Sequence, residues 1–552
     1  MPDPETLKRD GMAALRRGDR AAGVELLKRA IAGGAGTAGA FTALGAALIQ
    51  GGDFTEAESA FRSAVDIDPN RAAAHRGLGI ALLRQNDLSG AFGCCARAVE
   101  LEPDSAANQY WAAACLLNLG RIEDSVPFLR KAVNLDPAHR RAHANLIWAM
   151  EYDAASTLEE QQSERRLWCE RHAKKFLADR SRHANDRDPN RRLRVGYVSA
   201  DFHAHSAALA FGPLILRHDA AEFEMFCYSS SSVQDAVGDA LRAASEHWFS
   251  AVGVSDEALA ARIRADGIDI LVDLSGYTKG NRLLVFARKP APIQATGWGH
   301  ATGTGMPTMD YFFADTVLAP KEVRHLFVEE IVDLPCCVCY EPFGAMPPES
   351  ALPALGKDPF TFGSLNRAEK LTQPTVALWA RILRAMPGSR LLLKGARLEN
   401  PAMRAHVAQL FENSGIDARR LLILGKTSQY EHQQALRQVD LCLDPFPAAG
   451  GITTVETLLM GVPVVTLSGR TPASRVSAAV LAAAGMTEWI ARDEAEYVQI
   501  ALEMADDTSH LARLRSELRQ RALSSPICDT KQYVKNVEAA YRKMWRRYCG
   551  AA

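Results

Sequence analysis

A period of 34 residues runs through the first quarter of the chain and constrains its fold more than any other feature. Prolines recur at this spacing, each after an acidic residue, and small residues recur at two other offsets. The prolines are Pro69, Pro103 and Pro137, the glycines are Gly11, Gly45 and Gly79, and the alanines are Ala30, Ala64, Ala98 and Ala132. Small residues let paired helices approach closely, and proline separates one pair from the next. The period therefore predicts a stack of helical pairs.

Helical pairs of this length and pattern resemble the tetratricopeptide repeat. We count about four units over residues 5–139 and expect a charged helical stretch over about 140–180 to cap them, so that residues 1–180 form one repeat domain. Stacked repeats present a concave groove, where we expect a protein partner. A structural spacer or a dimerisation surface is the alternative, so a homo-oligomer stays open. Residues 181–192 are polar and lack periodicity, which predicts a linker.

Short apolar runs alternate with helical patterns from Leu193 to the end of the chain. A stretch rich in proline and glycine, residues 342–359, divides this part in two. Such alternation predicts parallel, doubly wound sheets, so we expect an N-terminal lobe over 193–350 and a C-terminal lobe over 351–552. Ligands of such sheets bind at the carboxyl ends of the strands. We therefore expect a nucleotide-sized ligand in a cleft between the lobes.

Composition narrows the classes of partner. The net charge is −1, so nothing draws the whole chain toward nucleic acid or an acidic membrane. The N-terminus lacks the apolar core of a secretory signal, and no stretch reaches about 18 uninterrupted apolar residues, so we expect no membrane span and a cytoplasmic location. Cys336, Cys337 and Cys339 form the densest group of cysteines, but no histidine follows at zinc-ligand spacing. We expect buried, reduced thiols, no metal and no other cofactor.

The stretch 441–469 has the pattern of a strand, a glycine turn, a helix and a second strand. Gly450 and Gly451 allow a sharp turn, and Thr453 and Thr454 lie where the helix should begin. The start of a helix exposes unpaired N–H groups and the positive end of the helix dipole, which suits a phosphate. An ordinary strand-turn-helix without a ligand is the alternative.

Three polar loops follow strand patterns, at the ends where a ligand of the two lobes would lie. The first loop carries His205, the second carries Lys279, and the third carries Asn366, Arg367 and Lys370. Histidine exchanges protons near neutral pH, and a lysine beside a phosphate offsets the charge of a leaving diphosphate. Each loop also has an ordinary interpretation, as polar packing against a sheet or as solvated surface charge.

Four segments carry a resemblance to a known family: Val195–Phe202, Gly276–Arg282, Phe286–Gln294 and Ser524–Tyr533. With the repeats, they resemble the O-GlcNAc transferase family and its SPINDLY branch over nearly the whole chain. The resemblance implies an α-helical tetratricopeptide solenoid followed by an α/β glycosyltransferase B fold of two Rossmann-like lobes. It also implies an enzyme that moves a sugar from a nucleotide donor, UDP-GlcNAc first, to Ser or Thr hydroxyls of a protein held by the repeats, with inversion and without a metal.

The resemblance also implies roles for single residues. His205 falls on the active-site histidine of the family, with a catalytic or substrate-positioning role, and Lys370 falls on the lysine that stabilises the departing diphosphate. His432 falls near the nucleotide base, and Thr453 and Thr454 fall on the pair whose helix start holds the diphosphate. The other candidates are, for the donor, Gln294, Asn366, Arg367, Gly451 and Glu456, and, for the acceptor or its loop, Tyr277 and Lys279.

The sequence also departs from the animal members of this family. Ile452 replaces a histidine before the threonine pair, the nearby carboxylate of Glu456 lies one residue earlier, and Ser206 replaces a proline after His205. These departures leave two alternatives open. One is the same fold with GDP-fucose or a CMP-linked sugar as donor, modifying flagellin or another surface protein. The other is a non-catalytic repeat scaffold.

Overall fold

The computed structural model describes residues 2–177, 183–356 and 359–551. The chain divides into two units, Met1–Ala149 and Met150–Ala552. This boundary differs from the predicted end of the repeat domain at residue 180, because the stretch that follows Ala149 groups with the second unit. Parts of the predicted repeat cap, the linker and the proline-rich boundary, residues 178–182, 357 and 358, lie outside the described residues.

Helices build the first unit, and they follow one another in pairs as the 34-residue period predicts. They are α1 (Pro4–Arg16), α2 (Arg20–Ala30), α3 (Ala38–Gly51), α4 (Phe54–Ile67), α5 (Ala72–Arg84), α6 (Leu88–Leu101), α7 (Ala106–Asn118), α8 (Ile122–Leu135) and α9 (Arg140–Ala149). Four pairs, from α1–α2 to α7–α8, match the expected number of units.

The repeating glycines lie where the helices of a pair meet. A Cβ at Gly45 of α3 would lie 2.8 Å from the ring of Phe61 on α4. A Cβ at Gly79 of α5 would lie 2.4 Å from Sγ of Cys95 on α6. No side chain fits at either position, so the small residues of the period are required by helix packing.

The second unit begins with a connecting segment that contains α10 (Leu158–Trp168). Thr157 and Glu160 cap this helix reciprocally, each side chain accepting a backbone N–H of the other residue. The two lobes follow. No helix within the described ranges has both the length and the apolar character needed to cross a membrane.

The first lobe contains a sheet in which every neighbouring pair of strands is parallel. Its strand order is β3-β2-β1-β4-β5-β6-β7. The order in which successive strands are added changes from one side of the sheet to the other between β1 and β4. The strands are β1 (Leu193–Ser199), β2 (Phe223–Ser229), β3 (His247–Ser250), β4 (Ile270–Asp273), β5 (Ile293–Thr296), β6 (Tyr311–Ala314) and β7 (Glu330–Asp333). The helices are α11 (Ser206–Leu216), α12 (Ala236–Ala244), α13 (Asp256–Ala265) and α14 (Leu283–Ala287).

The second lobe repeats this plan, with strand order β10-β9-β8-β11-β12-β13 and parallel pairing throughout. The strands are β8 (Thr361–Ser364), β9 (Arg390–Lys394), β10 (Leu421–Leu424), β11 (Leu441–Leu443), β12 (Val464–Leu467) and β13 (Ile490–Ala491). The helices are α15 (Gln373–Ala385), α16 (Pro401–Asn413), α17 (Gln429–Ala435), α18 (Ile452–Leu459), α19 (Val476–Ala483), α20 (Glu494–Asp506), α21 (Thr508–Leu523) and α22 (Thr530–Cys549). Two doubly wound lobes after a helical repeat region confirm the predicted fold class.

The last helix, α22, returns to the first lobe. The hydroxyl of Tyr541 lies 3.1 Å from that of Tyr197 on β1, and both side chains are buried. Tyr533 accepts a hydrogen bond of 2.8 Å from the indole N–H of Trp298, just after β5. These contacts fasten the end of the second lobe to the core of the first lobe, so the two sheets share one hydrophobic core.

The buried pair of tyrosine hydroxyls gives a stability prediction. We expect Tyr541→Phe to leave the Tyr197 hydroxyl without its partner and to lower the free energy of unfolding by about 1–3 kcal/mol. The double variant Tyr541→Phe, Tyr197→Phe should recover most of the loss, because two apolar rings need no partner. Calorimetric unfolding measures both, and a double variant as unstable as the sum of the single variants would contradict the account.

Candidate active site

Each sheet reverses its strand order at one place, and the loops at these places carry most of the predicted site residues. In the first lobe they are the loops after β1 and β4, and in the second lobe the loops after β8 and β11. Crevices at the carboxyl ends of such strands are where doubly wound folds bind ligands. The loops therefore define the candidate site.

A buried carboxylate shapes the turn between β11 and α18. Asp444 accepts hydrogen bonds of 2.8 Å from the Gly450 N–H and from the Thr466 hydroxyl. A Cβ at Gly450 would lie 2.5 Å from Oγ1 of Thr454 and 2.7 Å from Oδ1 of Asp444, so only glycine fits. The turn is fixed in one shape, and no side chain caps the helix that starts after Gly451. The unpaired N–H groups of such a helix start favour an anion.

The loop after β8 brings a lysine to this helix start. Oδ1 of Asn366 accepts hydrogen bonds from the Thr453 hydroxyl at 3.1 Å and from Nζ of Lys370 at 3.3 Å. Nζ of Lys370 also donates to the carbonyl of Ala449, in the turn just before the helix. The structure thus brings Asn366, Lys370 and Thr453 together at the uncapped start of α18.

The electrostatics of Lys370 suit an anionic ligand. Burial lowers the pKa of Lys370 to about 8, against the opposing effect of the Asp444 carboxylate, and the charge of Arg367 lowers it further. A cation that loses solvation in this way is stabilised by any negative charge placed beside it. Lys370 and the helix start together favour a ligand with several negative charges.

A contact across the cleft joins the two lobes. Nη2 of Arg367 lies 3.1 Å from Nε2 of His205 and 3.5 Å from the hydroxyl of Ser206. His205 precedes α11, and its Nδ1 lies 3.2 Å from the N–H of Ala207. A neutral imidazole has one acceptor nitrogen, so it satisfies only one of these two N–H donors at a time. The ring therefore accepts either from Arg367 at Nε2 or from the Ala207 N–H at Nδ1.

Burial lowers the pKa of His205, and the charges of Arg367 and His203 lower it further, while Asp201 opposes them. The Asp201 carboxylate lies 3.9 Å from Nδ1 of His205. Because the net shift is downward from a value near 6.5, His205 is neutral at neutral pH. A neutral imidazole can position a hydroxyl or accept its proton.

Glu456 lies one turn into α18 and is buried. Its carboxylate accepts hydrogen bonds from the Tyr340 hydroxyl at 3.0 Å, from Nε2 of Gln429 and, at 3.5 Å, from Nε2 of Gln433. Burial raises the pKa of Glu456 from 4.5 to about 7. His432 lies on α17 beside these glutamines, and burial lowers its pKa to about 4. The Glu456 carboxylate and the two glutamine amides therefore lie between α18 and α17, and His432 belongs to the same helix as the glutamines.

Two predicted residues have buried side chains that bond within the protein. Gln294 is fully buried in β5, and its amide donates to the carbonyls of Phe286 and Thr308, both at 2.9 Å. The Thr454 hydroxyl pairs with Ser477 at 2.7 Å beneath the glycine turn. Both side chains therefore bond within the protein. Thr454 is assigned to the site through the N–H groups of the helix start, and that assignment stays a prediction.

Tyr277 is buried as well, and its hydroxyl donates to the carbonyl of Thr304 at 2.7 Å. Lys279, two residues later, is exposed. The loop after β4 thus has an inner residue that anchors it and an outer residue exposed to solvent. Gly280 allows the loop to approach its neighbour closely, since a Cβ there would lie 2.8 Å from that of Ala200.

The sequence analysis missed the residues that support the site from a distance. Asp444 ends the strand before the glycine turn, and its place at a strand end was the signal available. Tyr340 and the two glutamines of α17 gave no such signal, because the Tyr340 contact with Glu456 spans 116 residues of sequence. These residues are recognised only once the lobes are folded.

The expected thiols lie outside the cleft. All eleven cysteines are free, and Cys336, Cys337 and Cys339 are buried as predicted. Cys336, Cys337 and Asp315 lie close enough together to share a metal ion. Asp315, however, already accepts backbone N–H groups from Val317 at 2.9 Å and from Cys337 at 2.6 Å. A hydrogen bond with Cys336, together with burial, raises the pKa of the Cys337 thiol, so this group favours the neutral, structural form.

Comparisons with known proteins agree with this arrangement. A sequence model of glycosyl transferase family 41 matches residues 144–339 and 351–537. A tetratricopeptide repeat model matches residues 9–72, 68–106 and 77–140. The two matches together cover the repeat region and both lobes.

Several curated proteins are similar in sequence. A probable UDP-N-acetylglucosamine–peptide N-acetylglucosaminyltransferase SPINDLY from Petunia hybrida is 36% identical over 421 residues, covering 75% of this chain and 45% of the relative. A probable UDP-N-acetylglucosamine–peptide N-acetylglucosaminyltransferase SEC from Arabidopsis thaliana is 31% identical over 371 residues, covering 65% of this chain and 38% of the relative. The chain spans about half the length of the curated relatives it matches.

One solved structure resembles the chain over nearly its full length. It is an O-GlcNAc transferase mutant from Thermobaculum terrenum, 33% identical, with a TM-score of 0.82. The likeness covers 93% of this chain and 98% of that one. The resemblance to the O-GlcNAc transferase and SPINDLY family, first suggested by short segments, is confirmed.

The buried carboxyl of Glu456 gives a pH prediction. Its pKa is raised in the folded protein, so the protonated form contributes stability below about pH 4.5 that is lost as pH rises through about 7. Glu456→Gln keeps the shape of the protonated form, so the variant should become more stable than the wild type as pH rises, by about 3 kcal/mol at pH 8. Urea unfolding from pH 5 to pH 8 measures the difference, and a constant difference would contradict the assignment.

Proposed function

The chain belongs to glycosyl transferase family 41, and we propose that it transfers a sugar from a nucleotide donor to a hydroxyl group of a protein. The observation that carries this proposal is the convergence of Lys370, Asn366 and Thr453 on the uncapped start of α18. A nucleoside diphosphate carries the negative charge that would pair with these hydrogen-bond donors. A repeat scaffold without activity has no use for a partly buried lysine with a lowered pKa.

The donor we propose is UDP-GlcNAc, the substrate named for the curated relatives. Its diphosphate would lie at the start of α18, with Thr453 and Lys370 as donors of hydrogen bonds and Arg367 as a second cation. The nucleoside would extend toward α17, which carries His432 and whose Gln429 contacts Glu456 of α18. A carboxylate in that position accepts hydrogen bonds from the ribose hydroxyls.

The reaction we propose is a single displacement. The oxygen of a Ser or Thr side chain attacks the anomeric carbon and passes its proton to a base, either neutral His205 or water, while the bond from that carbon to the diphosphate breaks. The electron pair leaves with the diphosphate, and attack from the opposite face inverts the anomeric centre. Lys370 and the N–H groups of α18 stabilise the charge that develops on the leaving group, so in this proposal no divalent metal is required.

His205 is proposed to act on the acceptor side, as a catalytic or substrate-positioning residue. It belongs to the first lobe, and its contact with Arg367 puts its ring next to the loop that carries Lys370. Lys279 lies on the exposed part of the neighbouring loop, where an acceptor would approach. The groove of the repeats is proposed to hold the rest of the acceptor protein.

Glu456 favours a second candidate donor, GDP-fucose. A guanine base presents a pair of neighbouring N–H donors to a carboxylate, whereas uracil presents one N–H flanked by carbonyl groups. Glu456 with Gln429 and Gln433 offers the mixture of acceptor and amide groups that guanine requires. A CMP-linked sugar has a single phosphate, which gives the cations of the cleft less charge to bind. Acceptors such as flagellin or another surface protein fit either diphosphate donor.

A donor screen with matched lysine variants tests the proposal. Wild-type protein should release UDP from UDP-GlcNAc, or GDP from GDP-fucose, in the presence of Ser/Thr peptides, and mass spectrometry should find the sugar on the peptides. Lys370→Ala should lower kcat by about 100-fold or more, because it removes a group that stabilises the leaving diphosphate. Lys531→Ala, an exposed lysine of α22, is the control and should keep full activity.

Three outcomes would contradict the proposal. Equal glycosylation by the wild type and Lys370→Ala would remove the assigned role of the lysine. Failure of every nucleotide sugar to raise the melting temperature of the wild type would favour the scaffold, because a ligand that binds the native state must stabilise it. Activity that persists in EDTA is expected, and its loss would contradict metal-independent transfer.

A further inference from the structure

A buried charged network lies behind the cleft, at the start of the second unit. Arg165 of α10 donates through Nη2 to the Glu151 carboxylate, and Nε2 of His300 lies 2.9 Å from the other oxygen of that carboxylate. All three side chains are buried, Arg165 completely. Taking several charged groups out of water is costly, so such a network is poor evidence for stability alone. Its position next to the loop after β4 indicates a functional role.

His300 connects this network to the loop after β4. Its Nδ1 accepts hydrogen bonds from the N–H of Tyr277 at 3.3 Å and from the hydroxyl of Thr302 at 3.2 Å. Because Nδ1 accepts, the ring proton is on Nε2 and is donated to Glu151, so one tautomer satisfies every contact. Gly276 has a φ of +51°, and a Cβ there would lie 2.6 Å from Nδ1 of His300. The backbone of the loop at Gly276 therefore lies against the imidazole ring of His300.

The same loop supports the one that carries His205. The hydroxyl of Ser275 accepts the N–H of Ala200 at 3.2 Å, and the chain continues from there through Asp201 to His205. Gly280 packs against Ala200 from the other side of the loop. Three hydrogen bonds thus connect the buried carboxylate to the loop of the active-site histidine: Glu151–His300, His300–Tyr277 and Ser275–Ala200.

The residue after Glu151 lies within electrostatic reach of charged residues in the other lobe. Tyr152 is buried, and burial raises the pKa of its hydroxyl while the charges of Arg367 and Glu369 act on it in opposite directions. Glu369 lies in the loop that carries Lys370, where it pairs with Arg397 at 2.6 Å. Glu151 thus reaches the first-lobe loop through His300, and its neighbour Tyr152 lies within electrostatic reach of the second-lobe loop.

We propose that Glu151, together with Arg165 and His300, positions the loops of the first lobe against the diphosphate site of the second lobe. The inference rests on the proposed transferase function. Glu151 touches no reacting atom in this account, so it is a positioning residue. Its loss should lower kcat and leave donor affinity almost unchanged, because the diphosphate site is built by second-lobe residues, Lys370 and Thr453 among them.

The chain offers a matched control for this experiment. Asp269 lies in the same lobe, is fully buried and pairs with Arg191, with Nη1 at 2.8 Å. It also accepts the N–H of Arg194 at 2.8 Å, at the amino end of β4 and away from the cleft loops. Glu151→Gln and Asp269→Asn each remove a buried negative charge from an arginine and keep the shape of the side chain. Both should lower the melting temperature.

The kinetic results should separate the two variants. We expect Glu151→Gln to lower kcat about tenfold or more, since a small displacement of positioned groups has a large effect on rate. The Kd for UDP, or for GDP if the donor is a GDP sugar, should stay within about twofold of the wild type. Asp269→Asn should keep kcat. A kcat for Glu151→Gln equal to that of Asp269→Asn, or a parallel loss of nucleotide affinity, would overturn the proposal.

Hydrogen exchange gives a readout that does not depend on activity. Peptides that cover residues 275–280 should exchange faster in Glu151→Gln than in the wild type and the Asp269→Asn control. His300→Asn, which keeps an acceptor toward Tyr277 and loses the contact with Glu151, should give the same result if Glu151→Gln does not fold. Unchanged exchange in this loop would overturn the proposal. If the wild type transfers no sugar, the proposed function fails, and hydrogen exchange still decides whether the network holds the loop.

Discussion

The hydrogen bonds of Asp444 are the interaction on which the cleft depends. The buried carboxylate holds the N–H of Gly450 and the hydroxyl of Thr466, and it thereby fixes the turn that precedes α18. That turn leaves the helix without a side-chain cap and presents the carbonyl of Ala449, to which Lys370 donates. One carboxylate at a strand end thus places a helix dipole and a lysine at the same point. Both are positive elements, and a ligand diphosphate is their natural counter-charge.

The repeated topology explains why loops distant in sequence meet. In both sheets the strand order reverses next to the first strand of the lobe, so each lobe offers polar loops to the cleft. Arg367 of the second lobe reaches His205 of the first, while α22 fastens the two lobes on the far side. Arg367 and Lys370 lie in the second lobe, and His205 lies in the first. This division matches a reaction in which one lobe holds the donor and the other meets the acceptor.

Sequence patterns predicted positions well and side-chain directions poorly. The 34-residue period and the glycine turn at residues 450–451 indicate packing that only small residues allow, and the structure has that packing. The strands β3 and β7 have four residues each, and the first and last residue of each strand is exposed. Neither strand therefore needs a long apolar run, so no sequence pattern predicts them. Gln294 lies in a segment shared with the family, yet a strand buried on both faces turned it inward. The orientation of a side chain such as that of Gln294 follows only from the folded structure.

The central claim is that Asn366, Lys370 and Thr453 form the diphosphate site, and calorimetric titration of Asn366→Ala tests it most directly. Asn366 holds both the lysine and the threonine, so its loss should weaken binding of UDP about tenfold or more and leave binding of uridine unchanged. GDP and guanosine replace these probes if the donor is a GDP sugar. Binding of the diphosphate that is as tight in the variant as in the wild type, or an equal loss for the nucleoside, would contradict the account.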